Sequence, residues 1–110
     1  MGWHMTKNDL LQRLLILKPV LQKEGFSIVG IFGSYAREEQ TQHSDIDILY
    51  TLVDPCQFSK RHGGFGAFSK IRETKEFLAK EFGKDVDFVD VSSLSRTGKK
   101  YILKDLVNVS

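Results

Sequence analysis

The sequence is nearly without cysteine: Cys56 stands alone among 110 residues. No intramolecular disulfide can form, and a reducing, cytoplasmic setting is expected. Cys56 itself reads as a structural or surface thiol. Long apolar runs are also missing. The greasiest stretches, such as Leu14 to Leu17, are broken by Gln, Arg, Lys and Pro. None approaches the roughly 20 apolar residues that cross a bilayer. There is little excess of either charge. The net charge of +2 gives no case for a nucleic-acid binder driven by phosphate attraction. No repeat, low-complexity tract or linker is present. Met1-Gly2-Trp3-His4-Met5 lacks the charged and apolar regions of a signal peptide. It reads as a cloning remnant covering residues 1–5, with residues 6–110 as a single domain.

What is present suits a small soluble fold. Apolar residues make up 41% and charged residues 27%, which allows one core. Thr6 and Asp9 form a capping-box pattern. Leu10, Leu11, Leu14, Leu17 and Leu21 then recur at helical spacing. Pro19 is expected either to kink this helix or to start a second turn, and Gly25 to stop it. Ser27 to Phe32 is β-branched and aromatic and predicts a buried strand. Gly33-Ser34 ends it, and a short helix is expected over Tyr35 to Gln40. Asp45 to Tyr50 predicts a second strand, broken by Asp54-Pro55. Gln57 to Gly66, polar and glycine-rich, is expected to be a mobile loop. Phe68, Ile71, Lys75, Leu78 and Phe82 share one face of a helix that Gly83 ends. Asp85 to Val91 alternates acid and apolar residues as a strand does. Ser92 to Gly98 is expected to be a loop and Lys99 to Val107 a closing helix. This order predicts an α/β (α+β) fold with a small mixed β-sheet packed with helices.

Three features carry chemistry. Gly33-Ser34 lies where a strand turns into a helix, a setting in which backbone amides meet anions; alone it is an ordinary cap. Asp45 and Asp47 point to the same side of a strand, about 7 Å apart along the backbone. Aspartate is depleted in strands, and two like charges on one face repel. A hard cation with oxygen ligands resolves that tension; an exposed edge strand is the plainer reading. Asp85, Asp87 and Asp90 could each supply a third carboxylate if their strand lies beside the first.

The combination is more specific than its parts. Gly33-Ser34, ten intervening residues and Asp45-Ile46-Asp47 make the pattern G-S-x10-D-x-D. This resembles the signature of the nucleotidyltransferase superfamily that includes DNA polymerase beta. The run Phe32-Gly33-Ser34-Tyr35-Ala36-Arg37 with Ser44-Asp45-Ile46-Asp47-Ile48-Leu49 is similar to its smallest branch, the minimal nucleotidyltransferase (MNT) family. Val86-Asp87-Phe88-Val89 is similar to the strand that supplies the third carboxylate there, which selects Asp87 over Asp85. Glu38 departs from the pattern, since many relatives carry glycine after the arginine.

The resemblance implies a nucleotidyltransferase core that moves AMP from ATP to a hydroxyl with two Mg²⁺ ions. Asp45, Asp47 and Asp87 are implied as catalytic residues and metal ligands. Gly33, Ser34, Arg37 and Ser44 are implied as the nucleotide-binding set; Arg37 reads equally well as a surface ion pair. Larger members of the superfamily carry extra domains for the acceptor, and almost no chain is left here for one, so the acceptor is expected on a partner. MNT proteins resemble the antitoxin half of toxin–antitoxin pairs whose toxin is a HEPN ribonuclease. The resemblance implies a hetero-oligomer in which a toxin tyrosine is adenylylated, away from membranes and without direct nucleic-acid binding. Two other readings are an antitoxin that neutralises by contact alone, and an aminoglycoside-type small-molecule nucleotidyltransferase with a partner subunit. His43 and the basic Lys60, Arg61 and His62 are read as solvated loop residues that could approach the triphosphate or an acidic partner.

Overall fold

The computed structural model describes residues 5–109. Residues 1–4, most of the expected cloning remnant, lie outside the described residues. Met5 is buried against the core.

The elements run α1 (Lys7–Lys23), β1 (Phe26–Phe32), α2 (Gly33–Ala36), β2 (Ile46–Leu52), α3 (Pro55–His62), α4 (Gly64–Phe82), β3 (Val86–Asp90), a 3₁₀ turn (Val91–Ser93), α5 (Arg96–Asp105) and β4 (Val107–Asn108). The strands form one sheet in the order β3-β2-β1-β4. β1 pairs antiparallel with β2 and β4, while β2 and β3 run parallel. The sheet is therefore mixed, as the α/β pattern of the sequence implies.

The capping box forms as read. Asp9 N donates to Thr6 Oγ1 at 3.1 Å and Thr6 N to Asp9 Oδ2 at 3.1 Å. Pro19 sits inside one continuous α1 and starts no second helix. Leu10, Leu14 and Leu21 bury one face of α1 against Phe26, Ile28 and Ile31 of β1 and Ile46, Ile48 and Tyr50 of β2. The buried face of β1 moves from even to odd positions between Ile28 and Ile31. The pairing register with β2 shifts between Ile28 and Gly30, and such a bulge flips every later side chain to the other face. Gly30 also lets β4 close in, because a Cβ there would overlap the Val107 carbonyl.

Four expectations are corrected. Gln57 to Gly66 is not a loop: Pro55–His62 is helical, and Gly64 already belongs to α4. Asp54 caps α3, its carboxylate accepting from Gln57 N at 3.1 Å, and Pro55 takes the first turn where no N–H is needed. Phe58 then fastens the helix edge-to-face on Phe26, with ring centroids 5.3 Å apart. On α4 the inward face is Ala67, Ile71, Thr74, Leu78 and Phe82, whereas Phe68 is 73% exposed and Lys75 is exposed. Thr74 is tolerated there because its hydroxyl donates to Lys70 O at 2.9 Å. The short helix after β1 ends at Ala36, four residues before Gln40. Finally, α5 begins at Arg96, inside the expected loop, because Ser95 caps it by accepting from Gly98 N at 3.0 Å, and it ends at Asp105, so that Val107, expected in the helix, pairs with Ile31 as β4.

Candidate active site

The C-terminal end of β1 and the N-terminal ends of β2 and β3 meet at one edge of the fold. Ile46 and Ile48 fill the core, so the alternation of β2 turns Asp47 to the opposite face. On β3, Val86 is buried in the core, and Asp87 is turned the other way. The parallel register sets Asp47 opposite Asp87, with Ile46 opposite Val86 and Ile48 opposite Phe88. The same i, i+2 logic puts Asp45 on the side of Asp47, at the mouth of β2.

Gly33 completes this edge. It is paired to neither strand but follows Phe32, whose partner in β2 is Asp47. Gly33 has φ +74, and a Cβ at that position would overlap the Asp47 carboxylate. Both the backbone angle and the close approach require glycine. Ser34 follows in the first turn of α2, whose preceding residue Phe32 makes no side-chain cap.

The electrostatics follow from this crowding. Asp47 is half-buried, and its carboxyl is pushed up to about 6 by burial first, then by the negative charges of Asp87 and Asp45; Arg37 acts in the opposite direction. Asp45 and Asp87 are exposed. Among the described residues no group of three His, Cys, Asp or Glu side chains closes into a metal cage as it stands. The donors nonetheless suit a hard divalent cation: carboxylate oxygens, converging charges and one acid already strained towards protonation.

The remaining sequence-predicted residues divide. Arg37 caps the C-terminus of α2 and is held by two acids, with Nε to Glu39 Oε2 at 3.0 Å and Nη1 to Asp105 Oδ2 at 2.8 Å. It therefore forms surface ion pairs while acting on Asp47 through its charge. Ser44 turns its hydroxyl into its own loop, accepting from Thr41 N at 2.8 Å. Asp90 closes the turn after β3, accepting from Ser92 N and Ser92 Oγ at 2.8 Å each. Asp85 uses its main-chain carbonyl to accept from Ile46 N at 3.0 Å. His43 and Ser44 line a cleft of about 540 Å³ beside Asp45, faced by Lys80, Lys84 and Asp85. His62 packs on Phe58, centroids 4.6 Å apart, on a helix rather than a loop. Two residues escaped the sequence reading: Asp105, the partner of Arg37, and Lys84, which bonds the loop before Asp45. Both contacts span distant segments, and no local pattern announces them.

Comparison with known proteins agrees with this geometry. Residues 16–109 match the family model described as polymerase beta, nucleotidyltransferase. A Methanocaldococcus jannaschii protein provisionally named protein adenylyltransferase MJ0435 is 34% identical over 105 residues, covering 96% of this chain and 99% of its own. A solved structure described provisionally as a minimal nucleotidyltransferase superposes with TM-score 0.73 at 24% identity, covering 96% of this chain and 98% of the other. A second, described as a toxin–antitoxin with AMP-PNP, has TM-score 0.63 at 23% identity, covering 96% of this chain and 73% of the other. With the acid pair of β2 and β3, the glycine turn of β1 and a family match over most of its length, the chain belongs to the polymerase beta nucleotidyltransferase family and is a nucleotidyltransferase.

Proposed function

We propose that this chain transfers AMP from ATP to a hydroxyl group, and that the acceptor is a tyrosine of a partner HEPN toxin that it silences in the cytoplasm. The observation that carries the chemistry is the in-register pair Asp47 and Asp87 beside Gly33. The name protein adenylyltransferase carried by the 34% identical relative supports AMP as the group moved. The description of a structural neighbour as a toxin–antitoxin with AMP-PNP supports the antitoxin role and the adenine nucleotide. The lone exposed Cys56, and the lack of any helix long and apolar enough to cross a membrane among the described residues, fit that compartment.

In the proposed reaction the acceptor oxygen bonds to the α-phosphorus as the bond from that phosphorus to the bridging oxygen breaks. Pyrophosphate leaves. Asp87, exposed and facing the cluster from the neighbouring strand, takes the hydroxyl proton. Asp45 and Asp47 would hold two divalent ions with Asp87, and the ions would supply charge neutralisation at the attacking and leaving oxygens. Gly33 brings backbone close to the β- and γ-phosphates, and the Ser34 amide and hydroxyl donate to them. Arg37 adds positive charge one turn away, and Ser44 shapes the entry to Asp45.

The test is incubation with ATP, Mg²⁺ and a HEPN-type protein encoded by an adjacent gene, where there is one, followed by intact mass and peptide mapping. The expected result is a toxin heavier by one or more AMP groups on tyrosine, with loss of its ribonuclease activity. An unmodified toxin that is nevertheless inhibited would replace this reading with neutralisation by contact.

A further inference from the structure

We propose that Lys84 is a positioning residue: its ammonium clamps the loop that delivers Asp45 and Asp47 to the site. The inference rests on the nucleotidyl-transfer reading above and adds a residue to it.

Lys84 lies in the turn between α4 and β3, directly after Gly83. Its own amide donates to Ala79 O at 3.1 Å, so its backbone is tied to the last turn of α4. Its side chain crosses to the loop before β2. There Nζ donates to Gln42 O at 2.6 Å and to Ser44 O at 3.1 Å. Both acceptors are main-chain carbonyls, so the bonds fix the path of the chain itself. Ser44 is the residue before Asp45, and its carbonyl belongs to the peptide unit that places Asp45. One residue further on, Ile46 N donates at 3.0 Å to the carbonyl of Asp85, the residue between Lys84 and β3.

The loop needs such a restraint. Residues 41–44 have no regular structure, and their local bonds, Thr41 N to Ser44 Oγ at 2.8 Å, Ser44 N to Thr41 O at 3.1 Å, His43 N to Thr41 Oγ1 at 3.2 Å and the Thr41–Ser44 hydroxyl pair at 3.3 Å, tie the loop to itself and not to the rest of the fold. Asp45 is exposed at its end and is repelled by Asp47. Without a tether, that repulsion is most easily relieved by moving Asp45 away from Asp47. A charge-assisted pair of bonds from a half-buried ammonium opposes that movement. Lys84 also forms one wall of the cleft beside Asp45. Residues that hold metal ligands in place commonly matter nearly as much as the ligands.

The test compares wild type, Lys84→Met and Lys84→Arg by three measurements. Amide hydrogen exchange of the metal-free protein is expected to rise roughly tenfold or more at Ser44 to Ile46 in Lys84→Met, with α1 and β1 unchanged. Calorimetric titration with Mn²⁺ is expected to show affinity weakened roughly 10–100-fold, and Lys84→Arg to recover most of it. Transfer is expected to lose apparent Mn²⁺ affinity more than kcat. Unchanged exchange in the 41–46 loop overturns the proposal. So does faster exchange spread over the whole chain, which marks a general loss of stability. If wild type neither binds Mn²⁺ nor transfers a nucleotide, the functional reading fails, and the exchange measurement alone still decides whether Lys84 holds the loop.

Discussion

Asp47 and Asp87 stand opposite one another on neighbouring parallel strands, each the polar member between core residues of its own strand. Register fixes this pairing. Slipping β3 by one residue would bury Asp87 and expose Val86 and Phe88, at a cost the small core could not meet. The sheet therefore holds two like charges together because the apolar faces on the other side demand it. The result is a site in which two acids crowd one another, a tension that the divalent ions of the proposed function would relieve.

Asp47→Asn and Asp87→Asn are each expected to remove detectable AMP transfer while leaving the circular dichroism spectrum unchanged. Neither should destabilise the metal-free chain, because each deletes one partner of a repulsive pair. Thermal melting in EDTA checks this: a melting temperature well below wild type would mean that the acids are structural.

The pH dependence follows from Asp47, whose carboxyl is raised from 3.8 to about 6. A raised value means the folded chain holds that proton more tightly than the unfolded chain. The associated stability is complete below pH 3.8 and is lost as pH rises through about 6. Asp9 and Glu24, both lowered by their partners, act in the opposite sense. The informative quantity is therefore the difference between wild type and Asp47→Asn. In EDTA, wild type should lose ground to the variant most steeply between 3.8 and the raised value of about 6, and the difference should level off above that value. Mn²⁺ affinity should run the other way and fall as pH drops through the same range, because the cation competes with that proton.

Gly33→Ala is expected to fail twice. The left-handed backbone costs about 1–2 kcal/mol for any residue with a Cβ, and the methyl overlaps the Asp47 carboxylate. Denaturant unfolding should show the loss, and transfer should disappear with it. Adding Asp47→Ala should recover part of the stability, because it removes the overlap, but none of the activity. No recovery in the double variant would show that the overlap is relieved elsewhere.

Much of this geometry is legible in the sequence because its rules are local. Strand alternation put Asp45 and Asp47 on one side, and Thr6 with Asp9 marked the start of α1. The core register of β3 then separated Asp87 from Asp90, whose carboxylate is spent on Ser92. What was not legible depends on distant partners. Helix α3 looks like a loop because Lys60, Arg61 and His62 surround one apolar anchor; Phe58 matters only once Phe26 is beside it. Gly64 and Gly66 have poor helix propensity, yet they sit in α4, where Ala67 and Ile71 pack against the core. The bulge in β1, the short β4 and the reach of Lys84 to Gln42 likewise leave no periodic trace.

Arg37→Ala separates charge from structure. Its ion pairs with Glu39 and Asp105 are exposed to solvent, its own side chain being 43% accessible, so their loss should change stability little. Its charge acts on Asp47, so the carboxyl of that residue should titrate at higher pH in the variant. The nucleotide KM should rise roughly tenfold, as for loss of one charged hydrogen bond, with kcat changed less. Steady-state kinetics with varied ATP distinguishes this from a purely structural arginine, for which KM would not move.

Glu38→Gly is expected to stabilise the chain. Glu38 has φ 59, the left-handed region, immediately after the residue that caps α2. A side chain there costs about 1–2 kcal/mol, and glycine returns part of that through greater freedom when unfolded. The Lys7–Glu38 ion pair, 3.7 Å long with Glu38 65% exposed, contributes little against this. A net gain of about 0.5–1 kcal/mol should raise the melting temperature by a few degrees in a chain of this size. AMP transfer should be unchanged, since the substitution relaxes the turn without moving Gly33 or Ser34. A lower melting temperature for Glu38→Gly would show that the contacts of the glutamate outweigh its backbone strain.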